Sequence, residues 1–295
     1  MNPYQLPDKT SIARVHLRVA DLDRALTFYS DLLGFRPAAR EGDTIGLSAT
    51  GKLPAQILLT GQTGARRRPS HTTGLYHVAI RFPTRQALAR QFRRLLARRW
   101  PFQGFADHLV SEALYLADPE GNGIELYVDR PRAQWKQEDG QIAMGTEPLD
   151  IDSLLVEDPG IGQPWEGVDP GTDIGHVHLQ VSDLRRAEEF YAGLLGFQVT
   201  QRGYPGALFL SAGGYHHHLG LNTWASQGAP PPPADAVGLL SFALRLPDSD
   251  SWHLLRARME RAGVPLQEGP QDGTKSVIAL DPDGTAVEMW VDRSA

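Results

Sequence analysis

Apolar and polar residues alternate through Val15-His16-Leu17-Arg18-Val19, the two-residue period of a strand with one buried face. Asp21 then stands where a helix N-cap belongs. Leu22, Ala25, Leu26, Tyr29, Leu32 and Leu33 follow at helical spacing, and Gly34 supplies a C′ stop. The same pattern returns 162 residues later, where Val177-His-Leu-Gln-Val leads to Asp183, Phe190-Tyr191 and Gly196-Phe197. A repeat of this length sets the architecture before any single element does.

A second unit also occurs twice. Leu75-Tyr-His77-Val-Ala-Ile-Arg-Phe-Pro-Thr84 parallels Leu239-Leu-Ser241-Phe-Ala-Leu-Arg-Leu-Pro-Asp248. Downstream, Ala117-Asp-Pro-Glu-Gly-Asn-Gly-Ile-Glu125-Leu-Tyr-Val-Asp-Arg130 parallels Leu280-Asp-Pro-Asp-Gly-Thr-Ala-Val-Glu288-Met-Trp-Val-Asp-Arg293. Helices are expected between them, near Arg85–Arg99 and Asp250–Ala262. Shorter strands are expected at Thr44–Ser48, Gln56–Thr60, Ala207–Ser211 and His216–Asn222. The chain thus reads as an α+β fold of four strand–helix–strands modules, one pair in 1–130 and one in 173–295. Residues 131–172, rich in Gly, Pro and acidic residues, read as a crossover linker with one short helix at Ile151–Glu157. Pro230–Pro233 is a stiff loop, and Arg66-Arg-Arg68 reads as a solvated loop.

Composition narrows the chemistry. With 41% hydrophobic and 22% charged residues the chain is an ordinary globular one, and a net charge of −6 argues against a nucleic-acid surface. The absence of cysteine excludes disulfides, thiolate metal sites and cysteine nucleophiles. No apolar run reaches the roughly 20 residues that span a bilayer, and the amino terminus lacks a signal-peptide core. A cytoplasmic protein with no membrane partner is expected. His77 and Glu125 sit on two apolar strands, and two histidines with one carboxylate form a face suited to Fe(II). The second histidine has to come from elsewhere in the chain.

These signatures resemble the vicinal-oxygen-chelate superfamily, which includes glyoxalase I, bleomycin-resistance proteins and type I extradiol ring-cleaving dioxygenases. The resemblance covers nearly the whole chain. It implies βαβββ modules whose pairs form barrel-like domains cupping a divalent metal. In that family a ligand lies seven residues before the helix-capping residue, and a glutamate ligand lies on the last strand. Carried over, module one offers Arg14, module two His77 and Glu125, module three His176, and module four Ser241 and Glu288. Only modules two and three together yield two histidines and a glutamate, so pairing is expected as 2+3 and 1+4, within one chain or across chains. His178, two residues beyond His176, is the fallback ligand; His16 and His178 otherwise read as core residues.

The resemblance further implies an extradiol dioxygenase of the catechol 2,3-dioxygenase type, with Fe2+ (or Mn2+), a catechol and O2 as reactants, and a homo-oligomer. It places Tyr115, ten residues before Glu125, beside the substrate oxygen as a hydrogen-bond donor; module four has Ile278 at that distance. In Tyr215-His216-His217-His218-Leu-Gly it selects His217 as acid–base residue, and it sets His108 behind the site. Two other classes stay open. A glyoxalase-type isomerase using Zn or Ni would want a fourth, glutamate ligand on the last strand of module three. A bleomycin-resistance-like binding protein would need no metal.

Overall fold

The computed structural model describes residues 4–138, 140–158, 164–269 and 274–292; Arg293 of the module-four repeat lies outside them. Module one consists of β1 (Ser11–Val19), α1 (Leu22–Leu26), β2 (Arg36–Glu41), β3 (Thr44–Ser48) and β4 (Ile57–Gly61). Module two runs β5 (Gly74–Phe82), α2 (Arg85–Ala97), β6 (Phe102–Asp107), β7 (Ser111–Ala117) and β8 (Gly123–Asp129). The linker carries a small hairpin, β9 (Gln137–Glu138) with β10 (Gln141–Ile142), and α3 (Ile151–Val156). Module three is β11 (Asp173–Gln180), α4 (Leu184–Glu188), β12 (Gln198–Gln201), β13 (Ala207–Ser211) and β14 (Leu219–Asn222). Module four is β15 (Gly238–Arg245), α5 (Ser249–Arg261), β16 (Gln267–Glu268), β17 (Thr274–Leu280) and β18 (Ala286–Asp292).

The helix starts follow from their caps. Carboxylates of Asp21, Asp183 and Asp248 and the hydroxyl of Thr84 accept the amide three residues on, at 2.7–3.1 Å. Gly34 and Gly196 take φ of +95° and +93°, the left-handed stop that glycine adopts without Cβ strain. One feature escapes the periodicity. After a single α-helical turn, α1 and α4 widen into π-helix over Thr27–Leu32 and Glu189–Leu194. The amides of Leu33 and Leu195 accordingly donate to the carbonyls of Phe28 and Phe190, both at 2.9 Å.

The widened turns carry fully buried tyrosines that explain why the two repeated signatures occur together. Tyr29 donates to Asp118 Oδ2 at 3.0 Å, and Tyr191 to Asp281 Oδ2 at 2.8 Å. Each aspartate's other oxygen accepts two amides of its own Asp-Pro turn, at 2.7–2.9 Å. The helix of one module thereby fastens the turn that launches the last strand of the next, and Glu125 and Glu288 stand on those last strands. Burial pushes both aspartates up despite these donors, Asp281 to about 6.

Two eight-stranded open sheets result, in the orders β16-β17-β18-β15-β1-β4-β3-β2 and β12-β13-β14-β11-β5-β8-β7-β6. Strands of modules two and three share one sheet, and those of one and four the other. Contacts group residues 18–65 with 77–174, and residues 1–17 and 66–76 with 175–295. In the first group, α2 buries Leu88, Phe92 and Leu95, and Ala79, Ala113 and Tyr127 form a cluster with Tyr115 packed on it. In the second, α5 buries Trp252, Leu255 and Met259.

One strand is shorter than its pattern. Residues His216 to His218 precede β14 instead of forming its first half. Gly213 and Gly214 turn the chain ahead of them at φ of +60° and +63°. A Cβ on Gly213 would meet the Asp8 carbonyl oxygen at 2.2 Å, so the turn is pinned where only glycine fits. Alternation of the three histidines across a strand therefore does not apply, and all three are buried.

Candidate metal centre

Parallel pairing of β5 with β8 sets Ala79 opposite Glu125 and His77 opposite Gly123. His77 and Glu125 thus project from the same face, and His77 Nε2 comes within 3.0 Å of Glu125 Oε2. Only 6% of His77 and 2% of Glu125 is exposed, so neither is a solvated surface group. On the antiparallel neighbour β7, Tyr115 stands opposite Glu125, and its ring lies 5.7 Å from that of His77.

Tyr115 is tethered in turn. Its hydroxyl lies 2.7 Å from His108 Nε2, and His108 Nδ1 lies 2.7 Å from the carbonyl oxygen of Gly145. A carbonyl only accepts, so Nδ1 carries the proton, and in neutral His108 Nε2 is an acceptor. In that tautomer the Tyr115 hydroxyl donates its hydrogen bond to His108 Nε2. The orienting group, Gly145, belongs to the linker.

In module three, His176 is 1% exposed on β11, and the ring of His217 lies 4.0 Å from it, against 6.2 Å for His216. The Nδ1 atoms of His216 and His217 are 2.8 Å apart, so one carries the proton that the other accepts. The Thr200 hydroxyl holds the backbone here by donating to the His216 carbonyl at 2.6 Å. His218 accepts the Ala212 amide on Nδ1 at 3.2 Å. His178, the fallback ligand, has Nε2 3.0 Å from the Asn222 amide nitrogen, which can only donate to it. Its ring packs among Tyr76, Phe209 and Trp224, and a Cβ at Gly220 would come within 2.8 Å of it.

One ligand atom each from His77, Glu125 and His176 falls within 4.8 Å of the others, all three residues being buried. Metal–donor bonds of about 2.0–2.2 Å require separations of this order, and two imidazoles with one carboxylate suit a divalent transition metal. The donor set fits a metal.

Module four repeats the register and the carboxylate without the histidine. Ala243 stands opposite Glu288 as Ala79 does opposite Glu125, but Ser241 replaces the histidine. Arg14 fills the position equivalent to His176. One of its guanidinium nitrogens donates to both Glu288 oxygens, at 2.9 and 2.8 Å, with 2% and 3% of the side chains exposed. Its guanidinium carbon lies 4.8 Å from the Trp290 ring centroid. The sequence shows both residues but not their meeting.

Residues 11–126 and 173–289 each match the model of a family described as Glyoxalase/Bleomycin resistance protein/Dioxygenase superfamily. The chain is 41% identical over 265 residues to a Bacillus subtilis (strain 168) protein named catechol-2,3-dioxygenase, covering 88% of this chain and 91% of that one. A Rhodococcus globerulus biphenyl-2,3-diol 1,2-dioxygenase 3 is 30% identical over 126 residues, 41% of this chain and 64% of that one. Among solved structures, glyoxalase I from Zea mays covers 97% of this chain and 93% of its own, with a TM-score of 0.58 and 18% identity, a likeness of fold.

Proposed function

The chain belongs to the glyoxalase/bleomycin resistance/dioxygenase superfamily, and on that footing we propose that it is an extradiol dioxygenase of the catechol 2,3-dioxygenase type. The observation carrying this reading is the buried convergence of His77, Glu125 and His176. The B. subtilis relative, matched over most of both chains, supports the same reaction class. His77, His176 and Glu125 would hold Fe2+, and Mn2+ suits the same donors. The bound metal would supply Lewis acidity and one-electron chemistry, with positions left open for a diol and O2.

The remaining work falls to protein groups. His217, beside His176, takes a hydroxyl proton from the diol and returns it later in the turnover. Tyr115, oriented by His108, hydrogen-bonds the substrate oxygen. Burial of all three ligands keeps bulk water from the reacting atoms. Catechol and O2 combine with both oxygen atoms retained, cutting the ring beside the diol to give a hydroxy-semialdehyde acid. A glyoxalase-type isomerase is less favoured: β14, Leu-Gly-Leu-Asn, offers no glutamate as a fourth ligand.

Anaerobic loading with Fe(II), followed by catechol and air, tests the proposal through O2 uptake and a yellow ring-cleavage product. Absence of both with Fe(II) and with Mn(II) rules it out.

A further inference from the structure

Arg68 stands in the segment between β4 and β5 that reads from sequence as a solvated arginine loop. Its neighbour Arg66 behaves so, being exposed and paired with Asp235 at 2.6 and 2.8 Å. Arg68 does not. It is partly buried, with Nη2 2.9 Å from Gln180 Oε1 and Nη1 3.5 Å from the Thr73 carbonyl oxygen. Both partners are neutral, and among the described residues no carboxylate pairs with it. Burial lowers its pKa, yet a guanidinium remains charged at any ordinary pH.

The backbone is shaped around this charge. Gly74 opens β5 at φ +123°, and a Cβ there would lie 2.9 Å from Arg68 Nη1. Gln180, which holds the other end of the guanidinium, shares its face of β11 with His178 and His176. Four residues of strand separate Gln180 from His176, about 13 Å at about 3.3 Å per residue. A cation with spare donors thus stands along the strand face that carries a candidate metal ligand.

We propose that Arg68 is a specificity-determining residue that binds a carboxylate on the side chain of the substrate, so that the preferred diol is a catechol bearing a short acidic arm. This rests on the dioxygenase reading of the His176 site. The ring diol lies at the metal, and the arm runs along β11 toward Gln180, where the guanidinium meets it. Gln180 is the positioning residue: it holds the fork without neutralising it, as a carboxylate there would.

The test compares 3-(2,3-dihydroxyphenyl)propionate with its uncharged counterpart 3-propylcatechol in the wild-type chain, Arg68→Met and Arg68→Lys. The wild type should prefer the acid. Arg68→Met should lower kcat/KM for the acid about ten- to a hundredfold, the worth of a charge-assisted hydrogen bond. It should leave 3-propylcatechol within about threefold, with Arg68→Lys in between. Equal losses on both substrates would give Arg68 a merely structural role and overturn the proposal, as would a wild type without preference. Calorimetric binding of 3-phenylpropionate, which has no diol, is the independent readout. Binding that Arg68→Met abolishes, in a protein that cleaves no catechol, would retain the anion site and reject the dioxygenase reading. No binding and no preference rejects the site itself.

Discussion

Glu288 is the carboxylate whose removal discriminates most sharply between a leftover ligand and a structural charge. Replacing it with alanine leaves Arg14 buried at 2% exposure without the two acceptor oxygens at 2.9 and 2.8 Å. Removing one partner of a buried ion pair costs about 3–5 kcal/mol, because the remaining charge keeps its desolvation penalty. Exchanging both for apolar residues of similar volume, Arg14→Met with Glu288→Leu, should cost little or nothing, and the methionine keeps contact with Trp290. The cycle closed by the single variants Arg14→Met and Glu288→Leu should therefore show a coupling of about 3 kcal/mol or more, far above the few tenths expected of independent sites. Urea unfolding followed by tryptophan fluorescence, at matched metal loading, measures all four corners. Metal content should stay the same across them, because His77, Glu125 and His176 are untouched. A Glu288→Ala cost below about 1 kcal/mol, or a double variant as unstable as the summed singles, would refute a buried compensating pair.

Three further outcomes are expected. His77→Ala and Glu125→Ala should each lose the metal by elemental analysis, whereas Glu288→Ala should retain it; equal retention by all three would remove the assignment of ligands. His217→Asn should keep its metal and lower kcat about 10²- to 10⁴-fold, as loss of an acid–base group does; unchanged kcat would transfer the role to another group. Asp281, at about 6 in the fold against an ordinary 3.8, favours folding when protonated. Its stabilisation is complete below the unfolded value and is lost as pH rises through about 6, at most about 3 kcal/mol. Asp281→Asn, neutral throughout, should flatten the denaturation midpoint between pH 4 and 6, and parallel profiles for the two proteins would count against the buried carboxylate.

Local periodicity and capping made the modules legible: Asp21, Thr84, Asp183 and Asp248 cap the helices that their positions predict. The convergence of the candidate ligands His77, Glu125 and His176 was legible only through family spacing, since His77 and His176 are far apart in sequence and no local rule joins them. What escaped depends on strand register and turns. The pairing of Arg14 with Glu288 links residues 274 positions apart, and nothing near either one signals the other. The placement of the three histidines depends on a glycine turn pinned against Asp8. The orientation of His108 depends on a carbonyl in the linker, where side-chain patterns carry no information. The π-helical turns keep the apolar spacing of an ordinary helix, so periodicity cannot reveal them.

The repeat also separates what the fold requires from what the chemistry requires. The tyrosine-to-aspartate hydrogen bond occurs in both halves, Tyr29 to Asp118 and Tyr191 to Asp281, so it serves the architecture irrespective of a metal. The glutamate on the last strand also occurs in both, buried at 2% and 3% exposure. A buried carboxylate needs hydrogen-bond donors, as Asp118 and Asp281 have, or a compensating cation. At Glu288 the guanidinium of Arg14 provides it within the chain. At Glu125 the equivalent position is His176, which has no permanent charge and which with His77 and Glu125 forms a donor set that suits a metal cation. Arginine against histidine at the same point of the first strand thus marks off the half that pairs its carboxylate within the chain from the half that offers a donor set for a metal.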